Sequence, residues 1–197
     1  MPALWPSFVA LAALVGSPRP PSAWPPREAP ALKTVFRVTY REKGHPYVDE
    51  VYQVDIAGLR RAWARTQGKT PPLELLRSGQ VCSAVSMRFL VDISGPKRRS
   101  LVLRNLREAW PKGGSPEESP EFEAYLDWQG RELNYSDRVD YCFVYGQALH
   151  IRFNEGPGKR FTSPGLTQAL RTVEFTDDPS DPGAMAALEK ALLKHLP

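Results

Sequence analysis

The side chains that most often carry chemistry are few in this chain and poorly spaced for it. Its three histidines, His45, His150 and His195, lie far apart, and its two cysteines, Cys82 and Cys142, form no Cys-x-x-Cys pair. A structural zinc site draws its ligands in local pairs, so no metal is expected. His150 sits between Leu149 and Ile151. Strand alternation turns it to the less buried side, and no carboxylate lies at a spacing that would orient it as a base. Cys142 falls in an apolar strand pattern, where a free thiol behaves as a small hydrophobe. There is no Ser nucleophile motif and no Cys–His pairing. Gly156-x-Gly158-Lys159 lacks the spacing and the helix start of a phosphate loop and reads as a hairpin turn. The densest basic run, Lys97, Arg98, Arg99, Arg104, Arg107 and Lys112, falls on a predicted helix and reads as a solvated face. A net charge of only +4, without clustered readers for bases, argues against a nucleic-acid partner.

The elements that must position any site follow from patterning. Thr34–Glu42 sets Val35, Val38 and Tyr40 among Arg37, Thr39 and Arg41, which predicts a strand. Turn residues at Lys43–Pro46 lead into a second strand over Tyr47–Ile56, so the two form a hairpin. Ala57–Gln67 reads as a short amphipathic helix closed by Gly68; Pro71–Leu76 is short and apolar. Val81–Ile93 reads as a central, largely buried strand. Helices are predicted over Arg99–Trp110 and Pro120–Gln129, with Ser115 and Ser119 as candidate N-caps. Two strands follow, then a turn at Glu155–Gly158 and a helix around Gly165–Thr172. The last helix, Ala184–Leu196, has Ser180 or Asp181 as its expected cap. Local strand pairs and grouped helices predict an α+β fold, a mostly antiparallel sheet with helices packed on one face.

Eight prolines precede Leu32, which predicts a leader over residues 1–31 and a single folded domain over 32–197. Within the leader, Phe8–Val15 is an unbroken apolar run. It is too short to span a bilayer and has the length of a secretory signal core. Export to the periplasm or outside the cell is the favoured expectation. A cytoplasmic protein with a disordered leader is the alternative, since MPALWPS lacks Lys and Arg and no clean cleavage site follows. Export would allow a Cys82–Cys142 disulfide, as both residues are expected on strands of one sheet.

The last third, from Asp137–Gly146 through Ala148–Asn154 and Phe161–Phe175 to Ala184–Leu196, runs strand, turn, strand, turn, short helix, acidic Pro loop, helix. This order resembles the chalcone isomerase-like family, and the Met87–Trp110 step, with its Ser94-Gly95 turn, resembles it too. The resemblance implies an open-faced β-sandwich with a cleft between sheet and helices, and no cofactor. Active members of the family use an Arg and a Thr on the first strands, a Tyr and an Asn on the helical step, and a Thr or Ser on the short C-terminal helix. There the Arg and Tyr stabilise the charge that develops on an enone. By position, Asn105 matches the Asn and Thr172 the C-terminal Thr. Arg37 or Arg41 stands for the Arg, Tyr52 falls at the strand Thr, and Arg98 at the Tyr. A constellation that acts as a unit loses most of its activity when members are replaced. Each residue also has a plainer reading: Thr172 bonding its own helix, Asn105 on a helix surface, Tyr52 a strand aromatic, Arg98 solvated.

Three functions remain in order. The first is an exported, non-catalytic protein that binds an apolar small molecule such as a fatty acid, with Tyr52, Asn105 and Thr172 as ligand contacts. Tyr52, Phe89, Trp110, Phe143 and Phe153 are candidate lining aromatics. The second is an isomerase acting on a chalcone-like enone through Asn105, Thr172 and Arg37 or Arg41. The third is a structural or partner-binding protein with no ligand cavity.

Overall fold

The computed structural model describes residues 24–145, 148–176 and 182–197. The apolar run Phe8–Val15 lies outside them. Lys33–Glu42 (β1) and His45–Val54 (β2) pair as an antiparallel hairpin. Lys43 and Gly44, with φ of 50° and 84°, make the two-residue turn that demands positive φ at both positions. The second strand therefore starts at His45, where turn chemistry was expected. Asp55 ends that strand and caps Ile56–Arg65 (α1), its carboxylate accepting from the Gly58 amide at 2.8 Å. The short apolar segment folds as Pro72–Arg77 (α2), with Pro72 suited to a first helical turn.

The expected long strand is Ser83–Phe89 (β3), shorter than its apolar run, and it leads into Gly95–Ala109 (α3). A single 3-10 turn, Pro116–Glu118, is opened by a Ser115/Glu118 capping box, and Phe122–Gln129 (α4) follows. Then come Arg138–Phe143 (β4), Leu149–Phe153 (β5), Lys159–Phe161 (β6), Pro164–Glu174 (α5) and Ala184–Leu193 (α6). β6 has no sequence signature. Three residues are too few to show alternation, and pairing with β5 alone defines it. The N-cap of α6 is Gly183; Ser180 and Asp181 lie outside the described residues.

The six strands form one antiparallel sheet in chain order, β1 to β6. Each strand pairs with its neighbour in sequence, so α1 to α4 are excursions between adjacent strands, and α5 and α6 follow the last strand. α3 lies against α4 and α5, α2 against α5 and α6, and α6 against β1. Side-chain alternation then separates two faces. Tyr40, Val48, Tyr52, Val54, Val85, Val139, Tyr141, Phe143, Leu149 and Ile151 point inward and form the main core with the helices. The opposite face carries a smaller apolar patch of Cys82, Ala84, Cys142, Val144 and Ala148, covered by Trp24, Ala29 and Leu32. Residues 24–32 are thus a strap over the outer face. Glu28 on that strap meets His150 Nε2 at 2.5 Å and Arg160 at 3.5 Å, and Arg152 lies over the Trp24 ring. Both cysteines are buried free thiols beneath it; burial pushes Cys82 up to about 11 and Cys142 to about 12.

Candidate functional site

A layer of buried polar side chains runs between the sheet and the helices. The sheet supplies Tyr40, Glu50, Tyr52 and Tyr141, and the helices supply Arg98, Tyr125, Gln129 and Glu174. At one end the Tyr52 hydroxyl donates to Glu50 Oε2 at 2.6 Å and lies 3.3 Å from the Tyr40 hydroxyl. It also lies 3.4 Å from the Glu174 carbonyl, which ties α5 to the sheet. Burial, and then the charge of Glu50, hold the Glu174 carboxyl well above the usual range and favour its neutral form. Burial and Glu50 likewise raise the Tyr52 phenol. At the other end the Gln129 amide nitrogen donates to the Tyr125 hydroxyl at 2.6 Å and to the Tyr141 hydroxyl at 2.8 Å. Burial raises both phenols, and Arg98 works against that shift in each.

Arg98 is placed by the start of α3. A Cβ at Gly95 would stand 2.0 Å from the Gly130 carbonyl oxygen, so only glycine lets the first turn of α3 press against the end of α4. That contact sets Arg98 against Trp128, 5.9 Å from its ring centroid, and 5.9 Å from that of Phe89. Arg98 is 5% exposed, and its Nη1 has no hydrogen-bond partner among the described residues. No carboxylate there comes within ion-pairing distance of it. Its neighbour Arg99, by contrast, bonds Asp127 at 2.6 Å and Glu123 at 2.9 Å. The Gln129 Oε1 is a second buried atom without a partner. A buried donor or acceptor left unpaired costs about 1–3 kcal/mol. One layer thus holds an open cationic donor and an open acceptor.

Arg98 corrects the expectation of a solvated side chain. The basic run put it between Lys97 and Arg99, yet it continues the Val102–Leu106 stripe at i, i+4 spacing, a signal that charge clustering hid. Asn105 is half-buried and lies two helical turns from Arg98 on nearly the same face. Thr172 donates to the Gln168 carbonyl of its own helix at 3.1 Å. Tyr52 is fully within the core and part of the polar layer. Arg37 pairs with Val51 while its neighbour Phe36 pairs with Tyr52, so Arg37 points to the outer face; Arg41 bonds the Gly44 carbonyl at the hairpin turn. The structure therefore brings Arg98, Asn105 and Tyr52 to the side of the helices and leaves Arg37 on the opposite face and Arg41 at the hairpin turn. Of the candidate aromatics, Tyr52 and Phe143 both pack on Phe175, at 6.0 and 6.2 Å. Phe89, Trp110 and Phe153 are half-buried at the margin of the core.

The arrangement can hold an oxyanion through Arg98. Among the described residues, no group of three or more His, Cys, Asp or Glu could hold a metal, and no helix is long and apolar enough to cross a membrane.

No family model matches this chain, and no curated protein sequence does. Solved structures do. A fatty-acid binding protein of Arabidopsis thaliana superposes with a TM-score of 0.68, at 11% identity, over 88% of this chain and 92% of that one. The chain has the chalcone isomerase-like fold, a six-stranded open antiparallel sheet with helices packed on it.

Proposed function

We propose that this protein binds an apolar carboxylate of the fatty-acid class between sheet and helices, with Arg98 as the anchor of the carboxylate. The observation that carries this is the buried Arg98 guanidinium, whose Nη1 has no hydrogen-bond partner and which meets no carboxylate among the described residues. An isolated buried cation is costly, and an anionic headgroup would relieve that cost. The side chains around it suit an amphiphile. Phe89, Ile93, Val102, Leu103 and Trp110 are only partly buried, and Leu101 of α3 is 43% exposed, so α3 covers the core loosely. An acyl chain running along α3 would bury that apolar surface, at roughly 25 cal/mol per Å². Asn105, on the Arg98 face of α3, would meet the chain or its headgroup. Likeness to a fatty-acid binding protein supports the reading. Export belongs to the same proposal and rests on Phe8–Val15.

The test is native mass spectrometry of the purified protein, then organic extraction, then titration with dodecanoate and dodecanol. Stoichiometric binding of the acid, with much weaker binding of the alcohol, is the expected result. Protein that stays free of both at millimolar ligand would refute the proposal. N-terminal sequencing of the protein from its native host checks export: a chain that retains Met1 would remove it.

A further inference from the structure

A second site lies outside the polar layer. The end of α4, β5 and the β5–β6 turn enclose an open groove of about 380 Å³, lined by Trp128, Arg131, Phe153, Lys159 and the Gly156–Gly158 turn. That volume is within the range of small-molecule sites. Arg131 is its central feature. Its guanidinium carbon lies 4.5 Å from the Trp128 ring centroid and 5.0 Å from that of Phe153. Its Nε donates to the Trp128 carbonyl at 2.9 Å, which fixes the plane of the group. Ring contacts occupy the faces of the guanidinium and the carbonyl takes Nε. The two terminal amines keep N–H donors along one edge, the fork that matches carboxylate and phosphate oxygens.

Among the described residues no carboxylate forms an ion pair with Arg131 or with Lys159, while Arg99, Arg107, Arg138 and Arg152 all have such partners. Lys159 stands over the Phe161 ring at 5.1 Å and reaches only the Ala124 carbonyl, at 3.4 Å. Burial, and then the positive charge of Arg98, hold the Arg131 guanidinium below its usual range. Two fixed cations without counter-ions, beside Phe153 and Pro157, complement an oxyanion carried on a short apolar body.

We propose that this groove is a binding site for a carboxylate or phosphate attached to a small apolar group, with Arg131 binding the oxyanion in bidentate fashion and Lys159 adding charge at the rim. The site is distinct from the acyl site at Arg98, and the Trp128 ring lies against both arginines.

The experiment titrates the full chain with hexanoate, hexyl phosphate and hexanol, following backbone amide and Trp indole resonances by NMR. Hexanoate or hexyl phosphate should shift Gly156, Gly158 and the Trp128 indole saturably, and hexanol should not. A tighter phosphate marks a phosphorylated ligand, a tighter carboxylate an organic acid. Arg131→Gln should weaken the anions tenfold or more, and Lys159→Gln, at the exposed start of β6, a few-fold. Equal shifts with hexanol would overturn the proposal. So would anion affinity unchanged in both variants, or shifts confined to Tyr125 and Tyr141 and abolished by Arg98→Gln alone; that last pattern would leave the acyl site intact.

Discussion

Replacing Arg98 with methionine should stabilise the empty protein and weaken its ligand binding, two effects of opposite benefit. Methionine keeps an unbranched, flexible chain of comparable reach and removes the charge. The gain is the cost of a buried donor left without a partner, about 1–3 kcal/mol. The loss is two cation–aromatic contacts, to Phe89 and Trp128, at about 0.5–1 kcal/mol each. The net at the mid-values is about 0.5 kcal/mol in favour of the variant, or a rise in Tm of about 1–2 °C for a domain of this size. Urea unfolding of ligand-stripped protein, followed by circular dichroism, measures it. Dodecanoate binding should fall tenfold or more in the same variant, since a charge-assisted hydrogen bond contributes about 1.5–3 kcal/mol. A variant destabilised by 1 kcal/mol or more would show that Arg98 is a structural cation, and the argument from its missing counter-ion would fail. A stabilised variant that binds dodecanoate like the parent would remove Arg98 as the anchor.

Other consequences follow from single contacts. Gly95→Ala drives a methyl into the Gly130 carbonyl and should cost at least about 1–3 kcal/mol by urea unfolding, with α3 displaced from α4. Glu174 has a folded-state pKa raised by burial and by Glu50, so the folded state holds its proton more tightly. Its contribution is full below the unfolded value near 4.5 and is lost as pH rises toward the folded one. Glu174→Gln should therefore flatten the decline in stability above that pH, and identical pH profiles for the two proteins would refute the assignment. On the outer face, Asp140 is fully buried and accepts from Ser86 at 2.6 Å, Arg138 at 2.7 Å and Arg152 at 2.8 Å. Asp140→Ala should cost about 1–3 kcal/mol in urea unfolding, because it leaves the Ser86 hydroxyl and the largely covered Arg152 guanidinium without their acceptor. Deleting residues 1–32 uncovers the patch over Cys82 and Cys142, and maleimide labelling of native protein should rise several-fold; unchanged labelling would show that the strap does not shield them.

The sequence by itself determined the order and type of most elements. Alternation in Thr34–Glu42 and the apolar runs around Cys82 and Cys142 specify strands, because a half-buried sheet needs a period of two. Helices at Arg99–Trp110 and Ala184–Leu196 follow from apolar spacing, and the local pairing of strands leads to an antiparallel sheet with helices on one face. The order of the C-terminal elements carried the likeness to a chalcone isomerase-like fold. Tertiary structure alone decided which polar residues meet. Arg98 looks solvated beside Lys97 and Arg99 until Gly95 seats α3 on Gly130 and turns that position inward. Glu50, Tyr52, Tyr141 and Glu174 are distant in sequence, and no local pattern announces their shared layer. Strand parity, which one residue of register reverses, separated Arg37 from the site, and the hairpin turn holds Arg41. Secondary structure is written in short-range periodicity. A site made by strands and helices on opposite sides of a core is written only in how they pack.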